Sequence, residues 1–187
     1  MPTPKGEAGG YHANGAIGLV EPSPRSAPVN THVREQEIRL AQDLLFFAYR
    51  DFTNAADVIL TELGLGRAHH RALHFIGRNP GITVSDLLGI LRITKQSLAR
   101  VLSTLVQQGY VAQSPGQVDR RQRLLALTAR GHALEHRLFE RQRERLAAAY
   151  RQAGATAVHG FRRVARAIMD EQARAYLDAH QQARRES

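Results

Sequence analysis

The chain has 187 residues, a formal net charge of +9, 43% hydrophobic and 6% aromatic residues, and neither Cys nor Trp. That length suits one compact domain, or a small domain plus a dimerisation arm, and the absence of Cys excludes disulfides, thiolate metal sites and thiol redox sensing. No apolar run approaches the ~20 residues needed to span a bilayer, and no basic segment followed by a long apolar stretch opens the chain, so the sequence points to the cytoplasm and away from a membrane.

Residues 1–30 hold five of the seven prolines and five glycines without hydrophobic periodicity, which predicts a disordered tail over 1–32. From Val33 to Leu63 the pattern changes. Ile38, Ala41, Leu45, Ala48, Phe52, Ala55, Ile59 and Leu63 recur at steps of three and four, and Leu44, Phe47 and Val58 widen the stripe. This predicts one long N-terminal helix over 33–63, packed either in a dimer interface or in an ordinary core. A short helix follows, bounded by Gly64 and Gly66 before it and by Gly77 with Pro80 after it, with Ala72, Leu73 and Ile76 on its buried face. Thr83 is placed to cap a helix over 83–91, and Thr94 to cap another that runs to Gln108 and ends at Gly109. After Gly109 the period falls to two. Residues 110–113 and 120–127 read as strands around a turn at 114–119. Thr128 then caps a long Arg-rich helix to about Gln152, Gly154 breaks it, and a last helix is expected from about Thr156 to Ala179, with Phe161, Val164, Ile168 and Leu177 apolar.

The positive charge is concentrated. Residues 65–131 carry ten basic and only two acidic side chains. Arg codon bias accounts for 24 of the 26 basic residues being Arg, but not for the scarcity of carboxylates in this block. Such a block is the electrostatic footprint of a phosphate-backbone partner, here double-stranded DNA. Its order of elements is a helix pair with a tight turn followed by a two-stranded hairpin, a winged helix-turn-helix, whose second helix enters the major groove.

On helix 94–108, Leu98, Val101, Leu102, Leu105 and Val106 form one face. The opposite face carries Gln96, Arg100, Ser103 and Gln107, flanked by Ser97 and Thr104 beyond the capping Thr94. These side chains suit base edges: Arg for guanine, Gln for adenine, Ser or Thr for either. Lys95 places a cation in a first helical turn, against the macrodipole, unless a phosphate lies nearby. The hairpin brings Arg120, Arg121 and Arg123 to a short ribbon that fits a minor groove, with Asp119 placed to orient Arg121 through a charge-assisted pair. A solvated edge that deters strand pairing is the competing reading of this run.

Residues 82–131 resemble the winged-helix core of MarR-family regulators. The stretch DRRQRLLALTARG matches that family's wing pattern at Asp119, Arg121, Leu127, Thr128 and Gly131. The likeness covers roughly 33–180, is strongest over 64–131, and is closest to the PetP-type branch. It implies a homodimer with interlocked N- and C-terminal helices, a pseudo-palindromic operator, and modulation by a small lipophilic or phenolic ligand. It also implies that helix 94–108 is the recognition helix, that Arg121 is the minor-groove residue and that Asp119 orients it. The fold class expected is thus mostly α with a small β-hairpin. A DNA-binding lobe over 64–131 lies between dimerisation helices at 33–63 and 132–187.

Other features carry weaker chemistry. His70 and His74 stand four apart on one helical face, with His69 adjacent. No acid lies in that helix, so no metal is expected. Phe46, Phe47, Tyr49, Phe52 and Phe75 cluster near the first helix junction. Phe46, Tyr49, Phe52 and Phe75, with His70 and His74, form either an effector pocket or ordinary core and dimer packing. No nucleophile, phosphate loop or zinc-protease motif is present, so neither catalysis nor a cofactor is expected. Two further functions fit the same lobe: docking of a protein or RNA, and non-specific architectural DNA binding.

Overall fold

The computed structural model describes residues 34–186, and the tail expected over 1–32 lies outside them. Helix α1 spans Glu35–Glu62, α2 Arg67–Arg78, α3 Val84–Leu91 and α4 Lys95–Gln107; strand β1 covers Ile82–Thr83, β2 Val111–Pro115 and β3 Arg123–Leu127; α5 spans Ala129–Ile168 and α6 Glu171–Glu186. The expected mostly helical class with a winged helix-turn-helix stands. The wing, however, belongs to a three-stranded antiparallel sheet in the order β1-β3-β2, with Ile82 opposite Leu125 and Val111 opposite Leu127. Strand β1 has only two residues and no period to display, so its pairing is visible only in three dimensions.

Local capping sets the boundaries. The Thr83 hydroxyl accepts from the Asp86 N–H at 3.0 Å, the Thr94 hydroxyl from Ser97 at 3.1 Å, and the Thr128 hydroxyl from Gly131 at 3.0 Å. Each satisfies a donor that the first turn of a helix leaves orphaned. Gly109 ends α4 at φ 72°, with the Tyr110 N–H returning to the Leu105 carbonyl at 2.8 Å.

The core is one cluster. It joins Ala56 and Leu60 of α1, Leu73 and Ile76 of α2, Leu87 of α3, Leu98 and Leu105 of α4, Leu125 of β3, and Leu134 and Leu138 of α5. Burying each of these Leu and Ile side chains stabilises the fold by roughly 1.5–3 kcal/mol. On α1 the buried positions are Thr53, Ala56, Ile59 and Leu60, a line that shares only Ile59 with the expected stripe. Of the rest, Phe52, Ala55 and Leu63 are half-buried, while Ile38, Leu44, Leu45, Phe47 and Val58 are uncovered within one chain at 49–67% exposed, as is Phe46 beside them.

The C-terminal region departs from expectation at one point. Gly154 does interrupt the helical path, at φ 79° and ψ 167°, a conformation open essentially to glycine. The helix expected over 156–179 is itself broken at Met169–Asp170, where Asp170 restarts the chain by accepting from the Ala173 N–H at 2.8 Å. Phe161, Val164 and Ile168 lie exposed before that break.

Candidate nucleic-acid interface

Helix α4 buries Leu98, Val101, Leu102 and Leu105 and leaves Lys95, Gln96, Ser97, Arg100, Ser103 and Gln107 exposed. The sequence reading placed Val106 on the buried face, but it is exposed, because the chain turns away at Gly109 before anything covers it. Thr94 and Ser97 lie at the end of this face with their hydroxyls bonded to each other at 2.9 Å. Thr104 is half-buried, and its hydroxyl donates to the Arg100 carbonyl at 3.2 Å, which turns it from the exposed face.

The wing turn is closed by its own backbone, Gly116 N–H to Gln122 carbonyl at 2.9 Å and Gln122 N–H to Asp119 carbonyl at 3.0 Å. Asp119 does not pair with the Arg121 guanidinium. Its carboxylate accepts from the Arg121 backbone N–H at 2.9 Å, and among the described residues no ion pair joins the two side chains. Two residues in a tight turn bring a short carboxylate to the backbone N–H more readily than to a long side chain. Asp119 therefore shapes the turn, and Arg121 keeps all its guanidinium donors. Arg120, Arg121 and Arg123 are exposed.

Wing and helix-turn-helix meet at a cleft of about 430 Å³ lined by Thr83, Ser85, Leu88, Lys95, Arg121, Gln122 and Arg123. The first-turn cation of α4 thus shares one concave surface with two wing arginines, with no carboxylate in its lining. The distribution of partners sharpens the picture. Arg67 is bonded to Asp57 at 2.7 Å, Arg92 to Asp170 at 2.6 Å, and Arg130 stacks over the Tyr110 ring at 4.7 Å. Among the described residues, Lys95, Arg100, Arg120, Arg121 and Arg123 form no ion pair; outside this surface Arg71, Arg78 and the Tyr110-stacked Arg130 of the same block also form none.

The six aromatic and histidine residues grouped by sequence do not form one pocket. Phe52, His70 and His74 line a cavity of about 410 Å³ together with Glu135, Phe139, Gln142, Leu146 and Tyr150 of α5. Phe75 faces a different cavity, against Asn79 and Tyr176, and Phe46 and Tyr49 are exposed on α1. An i, i+4 spacing aligns side chains on one helix but says nothing of which neighbour covers them. In the first cavity, burial first and then Arg78 and His70 push His74 down to about 4, so its imidazole is neutral at pH 7. It sits 3.7 Å from the Glu135 carboxylate, whose own pKa burial raises. His69 is used locally, its Nδ1 accepting from the Gly66 N–H at 3.0 Å. Among the described residues no three His, Asp or Glu side chains gather as a metal site would need.

A profile of the MarR family matches residues 63–122. The HTH-type transcriptional regulator PetP of Rhodobacter capsulatus is 52% identical over 136 residues, 73% of this chain and 82% of that protein. The chain belongs to the MarR family. It is a DNA-binding transcriptional regulator of the PetP type. Among solved structures, mutant MarR from E. coli complexed with operator DNA aligns with TM-score 0.59 at 21% identity, over 72% of this chain and 97% of that one. NadR in complex with 4-hydroxyphenylacetate aligns with TM-score 0.57 at 22% identity, over 74% and 94%. These likenesses show the shared MarR fold.

For this MarR-family chain the sequence reading missed two parts of the surfaces just described. Thr83 and Ser85 join the basic cleft because β1 brings the start of α3 beside the wing. The α5 wall of the first cavity was legible in principle: Phe139, Gln142, Leu146 and Tyr150 follow one another at steps of three, four and four.

Proposed function

We propose that two copies of the chain bind a pseudo-palindromic operator, working without catalysis or a cofactor. Each lays α4 in the major groove and the turn at 116–122 over the adjacent minor groove. Gln96, Arg100 and Ser103 read base edges, while Lys95 contacts the backbone and Arg120, Arg121 and Arg123 serve the wing. The observation that carries this reading is the one cleft on which Lys95, Arg121 and Arg123, cations without ion-pair partners, converge beside Thr83, Ser85 and Gln122, with Arg100 and Arg120 exposed on the same two elements. Dimerisation is supported by the uncovered Leu44, Phe46 and Phe47 of α1 and by Phe161, Val164 and Ile168 of α5. An apolar set of this size is usually an interface. The test is fluorescence anisotropy of the full-length protein on a labelled duplex recovered by selection from a random-sequence pool, with excess non-specific competitor, at two salt concentrations. Saturable binding of two chains per duplex that survives competitor is expected, with half-sites about 34–36 Å apart. Binding abolished by competitor would instead mark a non-specific architectural protein.

Modulation by a small lipophilic or phenolic ligand is the second element of the proposal. The cavity of about 410 Å³ supports it, since its size falls within the ordinary range for ligand sites and neutral His74 and Gln142 offer polar contacts in an apolar lining. The ligand seen with NadR, 4-hydroxyphenylacetate, is a suitable first probe in the same titration.

A further inference from the structure

Helix α6 is fastened to the helix-turn-helix at two points. At its start, Arg92 Nη1 lies 2.6 Å from Asp170 Oδ2, and Arg92 Nη2 donates to Gln172 Oε1 at 2.7 Å. The other oxygen of Asp170 accepts from the Ala173 N–H at 2.8 Å, so one carboxylate both caps α6 and holds Arg92. One turn further on, the Asn79 amide donates to the Tyr176 hydroxyl at 3.0 Å and to the Phe75 carbonyl at 2.7 Å, and the Tyr176 ring meets Phe75 edge-on at 5.7 Å. The two attachments bracket α3, one at the end of α2 and the other at the turn into α4.

The backbone at Arg92 adds an independent observation. It is the single non-glycine residue with positive φ among the described residues, at φ 50° and ψ 45°. A left-handed conformation costs a residue with a Cβ about 1–2 kcal/mol, and glycine or asparagine ends a helix more cheaply. Ending α3 therefore does not explain an arginine here. The planar fork that meets a carboxylate and an amide oxygen together does. Only Ile93 separates Arg92 from Thr94, whose hydroxyl caps α4. Whatever fixes Arg92 thus fixes the first turn of the helix that carries Lys95, Gln96 and Arg100.

We propose that Arg92 is a positioning residue: clamped by Asp170 and Gln172, it lets α6 set the pose of α4 on DNA and makes no DNA contact itself. This rests on the reading of α4 as the DNA-facing helix. It separates Arg92 from the cations of the basic block that have no ion pair, since its charge is already answered within the chain.

Full-length wild type, Arg92→Ala, Asp170→Asn and the double variant are to be titrated by anisotropy against the selected duplex, beside Arg121→Ala. Asparagine caps a helix as well as aspartate, so Asp170→Asn retains the start of α6 while removing the charge. A brace predicts that each single variant weakens binding roughly three- to tenfold, that the double is no weaker than the weaker single, and that the salt slope stays at its wild-type value. The fraction of active protein, from titration at stoichiometric concentrations, stays constant, which separates a changed pose from loss of folded protein. Asp170→Asn is decisive in sign. Removing a negative charge near DNA raises affinity if Arg92 is a phosphate contact that Asp170 competes for, and lowers it if the pair is a brace. Wild-type or tighter binding by Asp170→Asn while Arg121→Ala still loses affinity would overturn the brace and leave the DNA face standing. A lowered salt slope in Arg92→Ala, or losses that add in the double, would overturn it as well.

Discussion

Replacement of Gly131 by alanine is expected to destabilise the chain by about 3 kcal/mol, close to the upper end for forcing one methyl into a packed site. The end of the wing explains the size. The Thr128 N–H donates to the Tyr110 carbonyl at 3.1 Å, and the Thr128 hydroxyl donates to the Gly109 carbonyl at 2.7 Å. That tie draws the first turn of α5 onto the end of α4, so a Cβ at Gly131 would overlap the Tyr110 carbonyl oxygen and also press on Leu127 Cβ. A backbone carbonyl held in a sheet corner yields less than a flexible side chain. Thr128→Ala removes the cap and the hydroxyl's bond to the Gly109 carbonyl but forces no overlap, and costs about 1–2 kcal/mol. Denaturant unfolding of both variants at one fixed protein concentration checks the order, because oligomerisation shifts apparent stability. A Gly131→Ala midpoint within the ±0.5 kcal/mol range of ordinary surface changes would refute the close approach.

Replacing Arg120, Arg121 and Arg123 together by alanine is expected to weaken DNA binding by more than about a hundredfold at moderate salt, with little change in stability. Three exposed cations on each of two chains put an upper bound of about 5 on the fall in the slope of log affinity against log salt, from 0.9 per neutralised phosphate. None of the three has an internal ion pair to lose, and the Asp119 carboxylate holds the turn by its bond to the Arg121 backbone, which alanine preserves. The same stability with an unchanged slope would make the wing arginines a solvated edge and nothing more.

What the sequence disclosed and what it concealed divide along the range of the interactions. The caps at Thr83, Thr94 and Thr128, the stop at Gly109 and the break at Gly154 depend on bonds within a few residues or on one backbone conformation, and each is readable from residue type and spacing. The exposed polar face of α4 follows from helical period, apart from Val106, whose covering depended on where the chain went next. Features that join distant segments were not readable. Strand β1 exists because Ile82 meets Leu125, and the cavity beside His74 takes its far wall from α5. The stripe on α1 was real as a pattern, but only the end of the helix is buried within one chain. The break at Asp170 did have a local signal, a capping aspartate after Met169, outweighed by the apolar repeat on either side. The role assigned to Asp119 erred on geometry: charge complementarity named a partner, but the reach of a short side chain in a turn chose the backbone of that residue.

The most direct test of α4 as the reading helix is to determine, for wild type and Arg100→Ala, the affinity for the selected duplex and for variants with each base pair changed in turn. A base contact predicts that Arg100→Ala costs about 1–3 kcal/mol and removes discrimination at one position per half-site, leaving the others intact. An equal loss on every duplex, with preferences unchanged, would contradict that reading and make Arg100 a contact to the phosphate backbone.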